Sequence, residues 1–375
     1  MKCKLESTMF GSAAMYAVSQ TMLFSQFKVI FSILSILLFL PTPISLLLKN
    51  ASAREQLAKP WFVVSFASAL LFTLIFNEFD EVGIEVLKLI ALSIATPLLF
   101  HELGKKAFIS YADGALGTTA IIVLLAYVGI LPTESYTTAL ESWTKNNGGF
   151  INPNNGPYFL YVAAILYFFY AQNVKLLIAA AVMLAAFVID VYSRTYLAGT
   201  IFLLLWSFFI IKAGAFRTFC TAAFVSLGTL VMILGIGFYI GVVLITDHFS
   251  QYAGSLLDIV TSWRISVALD EPVQAAQTIA GFTIKKLDSL YTEIIFYCGP
   301  LCAILFFSKI FTTRVRHIKI ALNNRLIVTY TFILLMGMVE TQLFNLTPIG
   351  IIIATLMYTP RSFNAITAAK QRATP

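Results

Sequence analysis

Long apolar runs alternate with short polar breaks along almost the whole chain. Twelve runs stand out, at about 9–26, 29–48, 60–76, 84–100, 110–131, 156–171, 176–189, 196–211, 218–245, 289–308, 326–339 and 343–359. Their length and lack of two-residue alternation predict helices rather than the strands of a barrel. The expected fold is all-α: a polytopic helical membrane protein of about twelve spans, forming one integral membrane domain over residues 1–375. Several runs fall short of the roughly 20 residues of a perpendicular span, so their polar neighbours are expected to dip into the boundary. The first run is the least apolar, and a helix lying flat on the surface is an alternative for it.

Composition narrows the class. The chain is 59% hydrophobic and only 11% charged, with a mean hydropathy of +0.86, whereas soluble domains carry roughly 25% charged residues. The net charge of +7 is spread beside the apolar runs and forms no separate basic domain, which argues against nucleic acid as a partner. Cys298 and Cys302 lie in an apolar run and read as buried thiols; with three histidines in all, no zinc motif forms. No small-residue cleavage site follows the first run, so it is not read as a signal peptide.

Charge also orients the runs. If the N-terminus is inside, eighteen of the 25 Lys and Arg fall in inner segments and six, namely Lys28, Lys145, Arg194, Arg264, Lys285 and Lys286, in outer ones. Lys88 falls within a run. That bias follows the positive-inside rule and puts both ends inside. Two outer loops are long. Pro132–Asn155 contains Asn146-Asn147-Gly148-Gly149-Phe150-Ile151-Asn152-Pro153-Asn154-Asn155, a turn-rich composition. Thr246–Asp288 is the main outer loop on this reading, with a surface helix expected at Ser255–Leu269. It is too small for an independent catalytic domain, so a site must be shared between loops and helix ends.

The outer side collects the chemistry. Arg194 lies in the break Ile189-Asp190-Val191-Tyr192-Ser193-Arg194-Thr195 between two runs, and Arg264 follows in the long loop. Arginines are scarce on that side and costly at a membrane boundary without a partner or a task. A guanidinium grips a phosphate with two parallel hydrogen bonds. Asp190, Tyr192, Trp263, Lys285, Lys286, Asp288, Tyr291, Glu293 and Glu340 complete the set. The two arginines could neutralise a diphosphate as it leaves, and a carboxylate could take a proton from an attacking hydroxyl. This scheme requires no cofactor and no metal. Plainer roles stand beside it. Arg194 could pair with Asp190 four residues away if one helix runs through the break. Arg264 could be an ordinary loop charge, and Lys285 and Lys286 could snorkel to lipid headgroups. Asp288 could cap the helix that follows. His248, alone in its loop, has no obvious partner.

The order of these signals carries a resemblance. Gly149-Phe150-Ile151-Asn152-Pro153-Asn154 precedes a run, Ser193-Arg194-Thr195 opens a later one, and Ser262-Trp263-Arg264 follows with Pro272 and Gly281. Asp288-Ser289-Leu290-Tyr291 then begins a run reaching Tyr297-Cys298-Gly299-Pro300-Leu301. Over roughly Gly148–Phe344 the chain resembles the O-antigen polymerase and ligase superfamily, the Wzy and WaaL proteins; the N-terminal third matches only in hydropathy. The resemblance implies a metal-independent glycosyltransferase of the bacterial inner membrane with its active site facing the periplasm. Its donors would be undecaprenyl-diphosphate-linked glycans, held at the diphosphate by Arg194 and Arg264. Asp288 and Glu293 would be candidate bases. Asn152, Asn154, Asp190, Tyr192, Trp263, Lys285, Lys286, Tyr291 and Glu340 would be candidate substrate contacts. Membrane lipids and a chain-length regulator are the further partners it implies. Ligases of the superfamily carry a His-Asn pair where this chain has Asp288-Ser289, which favours the polymerase branch making O-antigen, capsule or exopolysaccharide. The alternatives are a ligase moving glycan to lipid A-core and, in another class, a lipid-linked glycan transporter or flippase. A transporter would predict charges at mid-membrane and a repeated architecture; here Lys88 is the main deep charge, and no repeat is visible.

Overall fold

A computed structural model describes residues 2–39, 67, 71, 104–137, 144–211, 215–244, 246–257, 264–269, 275–277, 283–285, 291, 295, 296, 301, 304 and 324–337. These are mostly helical. The helices are α1 (Lys2–Ser19), α2 (Lys28–Phe39), α3 (Gly104–Tyr127), α4 (Asn155–Phe169), α5 (Asn173–Val188), α6 (Arg194–Leu205), α7 (Ala215–Leu244), α8 (Thr246–Phe249), α9 (Arg264–Leu269) and α10 (Asn324–Met336). The all-α expectation needs one correction. Two short antiparallel hairpins stand in the long loops: β1 (Ser135–Thr137) with β2 (Thr144–Asn146), and β3 (Ala275–Gln277) with β4 (Thr283–Lys285).

The expected twelve spans are not reproduced. Among the described residues two helical stretches, Lys106–Tyr127 in α3 and Phe216–Phe238 in α7, are long and apolar enough to cross a membrane. The runs at 156–171, 176–189, 196–211 and 326–339 are helices of 15, 16, 12 and 13 residues. The runs at 84–100 and 343–359 lie outside the described residues, as does nearly all of those at 60–76 and 289–308. α4 and α5 are short because turns, not hydropathy, end them, whereas α6 continues as a π-helical segment over Trp206–Ile210. After α3, α4 and α5 the chain makes the same closing turn: Ile130 N–H donates to Leu125 O, Gln172 N–H to Tyr167 O and Val191 N–H to Ala186 O, at 2.8–2.9 Å. Each is the six-to-one bond of a Schellman motif, with a left-handed residue inside it. That residue is Gly129, Ala171 or Asp190. Gly is usual there, so Ala171 and Asp190 hold a conformation that costs L-residues about 1 kcal/mol or more.

α4 organises the bundle. It is apolar on every face and buried from Gly156 to Phe169, as expected of a helix enclosed on all sides. Pro157 sits in its first turn, where no intrahelical N–H bond is lost. α3, α5, α6 and α10 pack around it, and Tyr16 of α1 meets it edge-on through Phe159 at 5.4 Å. α1 is not a lone surface helix. Ser12 Oγ donates to Ser35 O at 2.9 Å, and Ser35 Oγ returns to Ser12 O at 2.8 Å, tying α1 to α2. Gly114 lets α3 approach α1 so closely that a Cβ would lie 2.6 Å from the Phe10 carbonyl. α1 ends at Ser19, short of the expected residue 26, because the next residues pair with a distant loop: Met22 N–H donates to Gly149 O, and Ile151 N–H to Gln20 O.

The outer faces of the helices are apolar. α7 exposes Phe216, Phe219, Leu227, Leu230, Ile233 and Leu234; α5 exposes Val174, Leu177, Ile178 and Val188. In the long loop, Arg264–Leu269 is helical within the expected 255–269 stretch, and residues 258–263 lie outside the described set. The two ends of the bundle are distinct. Residues 19–22, 127–134, 146–155 and 188–196 gather at one end; Glu6, Ser110, Tyr167 to Lys175, Ser207 and Arg325 gather at the other.

Candidate functional site

The first of these ends carries Arg194, and its frame is made of backbone. Asn147 is buried just after β2; its Oδ1 accepts from Glu134 N–H at 3.0 Å, which closes the open end of the β1–β2 hairpin, and from Gly149 N–H at 3.2 Å. Asn146 Oδ1 accepts from Gly148 N–H at 2.8 Å. Gly148 has a φ of +58°, and a Cβ there would lie 2.7 Å from Val191, so only glycine fits against the α5–α6 turn. Asn146 N–H reaches that same turn, donating to Asp190 O at 2.8 Å. Phe150 is buried against Gly156 and Phe159. Beyond it Asn152 Oδ1 accepts from Asn154 N–H at 2.8 Å, an Asx turn that leads into α4. The Asn-Gly-rich segment is therefore a clasp joining the ends of α1, α3, α4 and α5.

Above this clasp lie the side chains singled out in the sequence. α5 ends at Val188 and α6 starts at Arg194, so the single helix through the break on which the Asp190–Arg194 pairing was premised is not there. Arg194 is the first residue of α6 and is exposed. Ser193 before it is extended and makes no side-chain cap bond. A helix start concentrates donor N–H groups and the positive end of the helix dipole, so an arginine placed there strengthens an anion-attracting surface. Asp190 and Asn152 are exposed, and Asn154 is half-buried. Tyr192 is buried, edge-on to Phe187 at 5.1 Å, with Lys145 Nζ 5.6 Å from its ring centroid. Lys145 thus joins the set.

Arg264 opens α9, which packs on α7 and α8 with Ile265 and Ala268 buried. Lys285 ends β4 in register with Ala275. Tyr291 is buried, and its hydroxyl donates to Leu334 O at 2.7 Å, which makes it a tie to α10. Trp263, Lys286, Asp288, Glu293 and Glu340 lie outside the described residues. Among the described residues no group of three His, Cys, Asp or Glu could hold a metal ion.

The opposite end holds two polar clusters that the sequence reading missed. Lys175 Nζ sits 2.6 Å from Asp113 Oδ2 and 2.7 Å from Oδ1, and Tyr167 Oη donates to Oδ1 at 2.7 Å. Arg325 Nη1 donates to Phe168 O at 2.6 Å, and its Nη2 to Asn173 Oδ1 at 3.0 Å and Ser207 Oγ at 3.2 Å. The guanidinium also lies 5.1 Å from the Phe168 ring centroid. Burial lowers its pKa. Its partners come from residues more than 100 positions away, so no local pattern around Arg325 marks it.

No family model, curated protein or solved structure matches this chain.

Proposed function

We propose that this chain is a membrane-embedded polysaccharide polymerase, joining undecaprenyl-diphosphate-linked repeat units at the periplasmic face of a bacterial inner membrane. The observation that carries this reading is the exposed Arg194 opening α6, beside the Asp190–Ser193 turn and the Asn146–Asn155 clasp. The apolar outer faces of α5 and α7 support placement in a bilayer, since contiguous exposed apolar surface needs a nonaqueous partner. The shorter helices cross together with their polar flanks.

In the proposed reaction the acceptor hydroxyl of one lipid-linked glycan attacks the anomeric carbon of the other. The bond to the diphosphate breaks, and undecaprenyl diphosphate leaves with the electron pair. Arg194 and Arg264 stabilise that growing charge. Asp288 or Glu293 takes the hydroxyl proton. Asn152, Asn154, Asp190 and Tyr192 line the glycan path.

The test is direct. Purified protein in nanodiscs that also contain lipid A-core, given an undecaprenyl-diphosphate-linked repeat unit, should produce a ladder of polymer still attached to undecaprenyl diphosphate. Product found only on lipid A-core would identify a ligase, and no product with movement of the intact lipid across the bilayer would identify a transporter. Asp288→Asn separates base from cap: Asn can cap a helix but cannot take a proton at neutral pH. Full activity of that variant would transfer the role to Glu293.

A further inference from the structure

The Arg325 cluster sits at the far end of the helices that carry the candidate site. Its three acceptors belong to three elements. Phe168 is in the last turn of α4, Asn173 opens α5, and Ser207 lies in the π-helical segment Trp206–Ile210 that continues α6. Ser207 Oγ also donates to Asn173 Oδ1 at 2.7 Å, so the acceptors are tied to one another. π-helical turns inside longer helices are uncommon and recur near functional elements.

Each of these helices ends at the site. The Asn146–Asn155 clasp leads into α4, and α5 and α6 flank the Asp190–Ser193 turn, with Arg194 beginning α6. α4 and α5 are stiff rods of about 23 Å at 1.5 Å per residue. A slip of one of them along its axis at the Arg325 end is therefore transmitted to the other end. At the Arg194 end the packing of α4 on α6 is aromatic, Tyr161 on Tyr196 at 5.2 Å and Tyr158 on Tyr196 at 5.7 Å. Ring contacts tolerate sliding better than directional hydrogen bonds do. The guanidinium, with its planar fork on three acceptors, is the directional element.

We infer that Arg325 is a positioning residue: by locking the far ends of α4, α5 and α6 together, it sets the height of the Arg194 turn against the Asn146–Asn155 clasp. Its value to the site rests on the polymerase reading above, but the positioning itself can be measured without any substrate. In full-length protein with the four native cysteines replaced by serine, cysteines are introduced at Lys145 and Tyr192, which face each other between hairpin and turn. A second version carries cysteines at Ser12 and Ser35, which bond to each other between α1 and α2, away from the cluster. The rate of oxidative cross-linking is the readout. Arg325→Gln is expected to slow the Lys145–Tyr192 cross-link by roughly tenfold, the change that about 1.4 kcal/mol produces, and to leave the Ser12–Ser35 cross-link unchanged. Ser207→Ala removes one acceptor of the guanidinium and the donor to Asn173 Oδ1 but no charge; it is the milder variant, and should slow the same cross-link by roughly twofold. Unchanged rates at Lys145–Tyr192 in both variants overturn the inference. Equal slowing of both pairs also overturns it, by reducing Arg325 to general stability. If the cross-link shifts as expected while Arg194→Ala still makes polymer, the positioning stands and the polymerase reading falls.

Discussion

The two ends of the bundle are built from different materials. At the Arg194 end, order comes from backbone bonds and turn residues: the two bonds to Asn147 Oδ1, the tight fit of Gly148 on Val191, and the left-handed Asp190. Arg194, Asp190 and Asn152 stand exposed on that frame. At the other end, order comes from side-chain charges directed at protein partners: Lys175 and Tyr167 on Asp113, and Arg325 on three acceptors. An arginine engaged by carbonyl and hydroxyl groups is committed to structure.

The comparison breaks most visibly through arginine. Arg194→Ala should lower polymer formation by roughly 10²–10³-fold with little change in expression, the range seen when a donor to a developing oxyanion is removed. Arg194→Lys should also be impaired, because an ammonium lacks the planar fork. Normal polymer yield from Arg194→Ala on a gel would make both ends structural. Gly148→Ala probes the frame: a Cβ at φ +58° and 2.7 Å from Val191 should cost about 1–3 kcal/mol in unfolding measurements in detergent. A stability equal to that of the parent protein would show that the clasp yields.

Smaller effects sharpen the contrast. Ala171→Gly relieves a φ of +59° at the end of α4 and should stabilise the protein by about 1 kcal/mol, read as a rise in melting temperature. Asp113→Asn retains an acceptor for Tyr167 but loses the ion pair with Lys175. The side chains of Lys175 and Asp113 are 38% and 35% exposed, so solvent screens the pair and the loss should be about 0.5 kcal/mol. A much larger loss would mean that this cluster carries more of the fold than its exposure allows.

Hydropathy located most described helices within a few residues, since the 156–171, 176–189, 196–211, 218–245 and 326–339 runs all coincide with helices. It misplaced α1, whose end is set by pairing with Gly149 and Ile151 over 120 residues away. It also overlooked the hairpins, three-residue strands with too little pattern to read. The Asn-Gly-rich segment was legible as a turn, and its role in joining four helix ends was not.

The sequence by itself determined the class of molecule, because apolar runs of this length admit little besides helices packed together or against lipid. It also singled out Arg194, an arginine in a short break where such residues are scarce. Among the described residues, packing set which charges hold helices together. Arg325 and Arg194 each stand at the beginning of an apolar run, and nothing local distinguishes them. What separates them is the neighbourhood: the end of α4, the start of α5 and the π-turn after α6 converge on Arg325, while Arg194 opens its helix exposed, on a surface framed by backbone. Hydrogen-bond partners contributed by distant segments are a property of packing, and no window of sequence contains them.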